Sequence, residues 1–152
     1  MVAAGHPLGD DPVVRRAYET SAAWLGEPGR GDQSVTGGDA VLGQGDCNLA
    51  NFLWDGTRVR LVDFEDSGPS DRAFELGTLV EHLSAWLDAG LRADAFLGYF
   101  GLSCAERARV LHSQRLSALF WLILLRPGGP ASARNPPGTL RRQAERLLAL
   151  HD

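Results

Sequence analysis

Hydrophobic positions along the chain change spacing several times, and each change marks an element. Val14, Ala17, Tyr18, Trp24 and Leu25 supply the apolar side of a short helix over residues 12–26, opened by Pro12 and stopped by Gly26. Residues 27–39, rich in Gly, Asp, Ser and Pro, read as a loop or linker. Ala40-Val41-Leu42 is expected as a short buried strand running into Gly43-Gln44-Gly45-Asp46. Phe52-Leu53-Trp54 and residues 58–64 flank Asp55-Gly56, a hairpin signal.

Helical spacing then takes over. Phe74, Leu76, Leu79, Val80, Leu83, Trp86 and Leu87 predict one continuous apolar face ending at Gly90. Ser103 and Glu106 form a capping box for a long helix towards Leu125, stopped by Pro127-Gly128-Gly129-Pro130. Its Leu119–Leu125 stretch is apolar all round, which predicts a buried central helix, or else a surface for another lobe or subunit. Thr139 opens a last amphipathic helix with Leu140, Leu147, Leu148 and Leu150.

Composition narrows the options. A chain of 152 residues, 44% hydrophobic and 22% charged, suits one soluble domain rather than disorder. The net charge of −4 argues against a general nucleic-acid binder. No apolar run reaches the length of a membrane span, and Met1–Pro7 carries no signal-peptide pattern, so a cytoplasmic protein is expected. All 15 basic residues are Arg, which excludes chemistry that needs a lysine amine. Two cysteines make no disulfide scaffold, and four scattered His show no zinc spacing.

The chemistry concentrates in residues 44–66. A hairpin brings its outer ends together, so Asn51 faces a residue between 60 and 62 and Asp63 lies one to three positions away. Their oxygens could share one hard cation, and Mg²⁺ suits a site of one or two protein oxygens completed by water and phosphate. Asp63 lies within an apolar strand, where an unpaired buried carboxylate would need a partner or metal. Asp46, on the Gly-containing loop, could accept a proton from a substrate hydroxyl and orient it for attack on phosphorus. Asp55 and Asp66 read more simply as turn residues. Cys47 adjoins this base, but reactivity is not expected of it.

Residues 44–51 and 61–65 resemble the H-G-D-x-x-x-x-N and I-D-F/W-E/G motifs of the aminoglycoside phosphotransferase and choline kinase group, relatives of protein kinases. Residues 70–76, Ser-Asp-Arg-Ala-Phe-Glu-Leu, are similar to that family's G-D-P-A-Y-D-L-A helix opening. The resemblance implies an α+β fold: a mostly helical, protein-kinase-like C-terminal lobe with a catalytic loop and a small β-hairpin. It implies Asp46 as catalytic base, Asn51 and Asp63 as Mg²⁺ ligands, ATP as co-substrate, and Gln44 as loop brace in place of the family's His. Residues 1–39 would be an N-terminal helix and linker, and 40–152 the catalytic lobe. No Gly-rich loop or Lys of the nucleotide-holding N-terminal lobe accompanies them.

The favoured function is therefore transfer of the ATP γ-phosphate to a small-molecule hydroxyl. Glu65, Asp66 and Asp71, with Glu75 and Glu81, could attract a cationic substrate such as an aminoglycoside; equally they suit a solvated helix start. A separate N-lobe or second subunit is an expected partner; nucleic acid and membrane are not. The alternative is a non-catalytic remnant or binding module. A metal-dependent hydrolase is less favoured, since no second-metal cluster is evident.

Overall fold

The computed structural model describes residues 8–28 and 40–152, so most of the linker expected over 27–39 lies outside the described residues. Among the described residues the order is α1 (Pro12–Leu25), β1 (Ala40–Gly43), β2 (Phe52–Trp54), β3 (Val59–Leu61), β4 (Gly68–Asp71), α2 (Arg72–Glu81), α3 (Ala93–Gly98), α4 (Cys104–Leu124) and α5 (Thr139–Ala149). No helix among them is long and apolar enough to cross a membrane. Among the described residues two compact units emerge, one from residues 8–28 together with 115–152, the other from 40–114. The first helix thus packs with the C-terminal one.

In the first unit, Asp11 caps α1 by accepting from the Val13 amide at 2.8 Å, and its second oxygen takes Arg141 of α5 at 3.0 Å. Val14 and Ala17 bury against Ala118, Leu119, Leu122, Ala144 and Leu147. Gln143, wholly buried, donates to the Ala118 carbonyl at 2.9 Å. The apolar run in α4 is one-sided: Leu119, Leu122 and Leu125 are buried, while Phe120 is 56% exposed.

In the second unit, β1 pairs antiparallel with β4, from Ala40 opposite Asp71 to Gly43 opposite Gly68. Gly68-Pro69-Ser70 has the composition of a turn, so this long-range pairing leaves no local signal. Contrary to expectation β1 is not buried, and Leu42 is 73% exposed. The hairpin forms as predicted, with Phe52 opposite Leu61 and Trp54 opposite Val59. Its turn has four residues, held by Asp55, which accepts from the Thr57 and Arg58 amides.

Asp71 caps α2 through the Ala73 and Phe74 amides, and Ser103 with Glu106 forms the expected capping box on α4. Ala73 and Leu76 bury with Leu102 and Val110, and Phe96, Leu97 and Phe100 close over them. The face predicted to continue to Gly90 breaks at His82, whose backbone is extended. A π-helical turn over Ser84–Asp88 follows.

Candidate active site

The loop from Gly43 to Asn51 is built around one buried amide. The Gln44 side-chain oxygen accepts from the backbone N–H of Asp46 at 3.0 Å and of Cys47 at 2.8 Å. Its amide nitrogen donates to the carbonyl of Asp63 at 2.7 Å. Gly45 sits at φ +91°, and a Cβ there would overlap the Asp66 backbone. Glycine is therefore required on both conformational and steric grounds. Cys47 also adopts a left-handed φ of 56°. Its thiol is buried 3.1 Å from the Thr78 hydroxyl, and that burial pushes its pKa up, the opposite of activation.

Asp46 is half-buried, and the Asn51 side-chain nitrogen donates to one of its carboxylate oxygens at 2.8 Å. This fixes the Asn51 amide with its oxygen turned away from Asp46 and available as an acceptor. The Val62 amide donates to the Asn51 carbonyl at 3.0 Å, extending the β2–β3 register by one step. Asp63 therefore lies one residue beyond the position opposite Asn51.

The setting of Asp63 corrects the sequence reading in one respect. Strand β3 ends at Leu61, and residues 61–66 are exposed, Asp63 included. Desolvation thus imposes no need for a partner on its carboxylate. Its candidacy rests on its place beside Asn51 and on a left-handed φ of 62°, uncommon for a residue other than glycine.

The acidic group divides in two. Glu65 and Asp66 are exposed and free to face a substrate. Asp71 is not: it is 3% exposed, caps α2 and lies 3.5 Å from Arg109. Glu81 is likewise buried and accepts from Gln114 at 3.1 Å. Glu75 accepts from the Gln44 amide at 3.2 Å and the Ser70 hydroxyl at 2.6 Å, so it ties α2 to the loop. That anchoring role was missed from sequence, where Glu75 looked like another surface acid. Ser84 was missed too: its hydroxyl accepts from the Leu49 amide at 2.9 Å.

No group of three or more His, Cys, Asp or Glu is placed to hold a metal among the described residues. The Asn51 amide oxygen and the Asp63 carboxylate would together make a smaller, all-oxygen donor set. It fits an ion that keeps water and phosphate oxygens in its shell, as Mg²⁺ does. Beside the loop, a shallow cleft of about 280 Å³ is lined by Val41, Leu42, Phe52, Leu61, Leu76 and Leu79, with Gln44, Cys47 and Glu75 among its polar members.

A braced acidic loop, a two-stranded ribbon and a following helix bundle define an α+β lobe of the kinase-like class. A crystal structure of a choline/ethanolamine kinase family protein from Mesorhizobium loti matches 99% of the chain with a TM-score of 0.56 and 21% identity. The phosphotransferase enzyme family model matches residues 8–111, and the chain belongs to that family. It spans 57% of the length of the Mesorhizobium structure. No curated protein sequence matches it.

Proposed function

We propose that this chain is the catalytic lobe of a small-molecule kinase that moves the γ-phosphate of ATP to a substrate hydroxyl. The observation that carries this reading is the Asp46–Asn51 hydrogen bond at 2.8 Å, on a loop that Gln44 ties to the Asp63 backbone at 2.7 Å. That shared frame supports reading Asp46 as the base beside two oxygen ligands. Asp46 takes the proton of the attacking hydroxyl and orients its oxygen towards phosphorus. Asn51 and Asp63 would hold Mg²⁺, which when bound neutralises phosphate charge. Exposed Glu65 and Asp66 favour a cationic acceptor such as an amino alcohol or aminoglycoside.

The ribbon presents Leu53, Trp54, Val59, Leu61, Val62 and Phe64 to solvent, each at least 39% exposed. We assign this exposed apolar ribbon to a nucleotide-holding partner, either a separate N-lobe or a second subunit. The absence of any Lys in the sequence favours a second reading, a non-catalytic member of the family, because nothing in the chain supplies the usual phosphate-gripping amine.

Calorimetry with Mg-ATP, together with an ADP-release assay over amino alcohols and aminoglycosides, tests the proposal. The 152-residue chain alone is expected to bind Mg-ATP weakly, to lose that binding on Asp63→Ala, and to show no turnover. Binding that survives Asp63→Ala would remove the metal site. Robust turnover by the chain alone, lost on Asp46→Asn, would remove the need for a partner.

A further inference from the structure

The Asp46–Asn51 loop has a further anchor besides Gln44 and Glu75. At the end of α2 the His82 ring lies 2.7 Å from the Ser84 hydroxyl, through Nδ1, and the same nitrogen accepts from the Ser84 backbone N–H at 3.1 Å. The Ser84 hydroxyl in turn accepts from the amide of Leu49 at 2.9 Å. Leu49, three residues after Asp46, begins the single helical turn that ends at Asn51.

The donors fix the direction of this chain. A backbone N–H can only donate, so His82 Nδ1 carries a lone pair and the ring is neutral with its proton on Nε2. The Ser84 oxygen accepts from the Leu49 N–H, and its own hydrogen shares the single Nδ1 lone pair with the Ser84 N–H. A second ring proton, on Nδ1, would remove the acceptor of the Ser84 N–H and oppose it, pushing the ring and Ser84 apart. We propose that His82 is a positioning residue for the Asp46–Asn51 loop: its neutral ring, acting through Ser84, holds the Leu49 turn in place, and protonation of the ring, which takes the acceptor from the Ser84 N–H, weakens that hold.

The charged groups acting on the ring are Asp46 of the loop and Asp88 of the π-helical turn. Both favour the imidazolium, but burial outweighs them and keeps the ring below its ordinary pKa of 6.5. The loop is therefore anchored at neutral pH and loosens only in acid. This inference rests on the proposed role of the loop, but it is tested without any turnover.

The test is NMR on the ¹⁵N-labelled full chain, following the His82 ring and the Leu49 amide against pH. Both should move with one common midpoint below 6.5. At neutral pH, Ser84→Ala and His82→Phe should each speed Leu49 amide exchange by about tenfold, the loss of one buried hydrogen bond. His82→Asn keeps a side-chain acceptor that cannot titrate, so it should retain slow exchange and abolish the pH dependence. A Leu49 amide indifferent to His82 titration, or unchanged in Ser84→Ala, would overturn the proposal. The wild-type titration decides even where a variant fails to fold. Loss of Asp46's proposed role in an activity assay would leave this result untouched, so the two failures are distinguishable.

Discussion

The side-chain amide of Gln44 spans the gap between Asp46 and Asp63, accepting from the backbone N–H of the first at 3.0 Å and donating to the carbonyl of the second at 2.7 Å. Its geometry accounts for the tolerance of Gln where the resembled family has His: both the donor and the acceptor are used. Gln44→Glu keeps the shape and removes the donor, setting a buried carboxylate against the carbonyls of Val62 and Asp63. A loss of about 2–3 kcal/mol is expected at neutral pH, shrinking in acid as the new carboxyl is protonated. Urea unfolding at two pH values checks both parts.

Gly77 sets the approach of α2 to α4. A Cβ at this position would come within 2.7 Å of the Ser113 Cβ and 2.8 Å of the Val110 carbonyl. Gly77→Ala gains about 1 kcal/mol of helix propensity, yet overpacking costs about 1–3 kcal/mol where backbone cannot yield. The expected outcome is a lower unfolding midpoint. A midpoint equal to or above wild type would show that the helices can part freely.

Local signals in the chain were accurate where a residue acts on its near neighbours. Ser103 and Glu106 cap α4 as their spacing predicts, and Asp55-Gly56 turns the hairpin. Non-local effects were illegible. Nothing near Gly68-Pro69-Ser70 announces a strand partner almost thirty residues upstream. The apolar spacing of Leu79, Val80, Leu83 and Trp86 runs on past His82, whereas the chain breaks there and the ring bonds Ser84 instead. The register of Asp63 against Asn51 was legible because a hairpin fixes it locally. The burial expected around Asp63 was not met, because alternation of apolar residues cannot say whether a face is covered. Asp71 and Glu75 looked like surface acids because their partners, a helix N-terminus and a loop amide, are contacts of the folded chain.

Two histidines should make the protein acid-sensitive. Burial lowers the pKa of His82 and of His151, the latter also through the nearby Arg115 charge. His151 is held by the Ser21 hydroxyl at 3.0 Å and packs edge-on against Trp24. Below 6.5 the unfolded chain binds protons that the folded chain resists, so stability rises with pH across that window. Their contribution is complete above 6.5 and falls away as pH drops towards the lowered folded values. Melting temperature against pH should be flat from about 7 to 8 and decline below about 6.5, less steeply in a His151→Gln variant. An identical slope in that variant would remove His151 from the account.

Asp46→Asn separates the base from the architecture. Among the described residues, the Asp46 carboxylate accepts one side-chain hydrogen bond, from the Asn51 nitrogen at 2.8 Å, and an amide oxygen in its place can accept the same bond. The loop's other ties, to Gln44, Glu75 and Ser84, run through backbone amides that the substitution leaves alone. Unfolding stability should therefore stay within about 0.5 kcal/mol of wild type. What is lost is basicity, since an amide takes no proton from an attacking hydroxyl. If the proposed nucleotide-holding partner completes a kinase, phosphoryl transfer in that complex should fall by about 10²–10⁴, the range of a positioned general base. A thermal melt paired with the ADP-release assay reads both effects on one sample. Turnover unchanged in a well-folded variant would take Asp46 out of the base role and leave Asn51 bonded to a merely structural carboxylate.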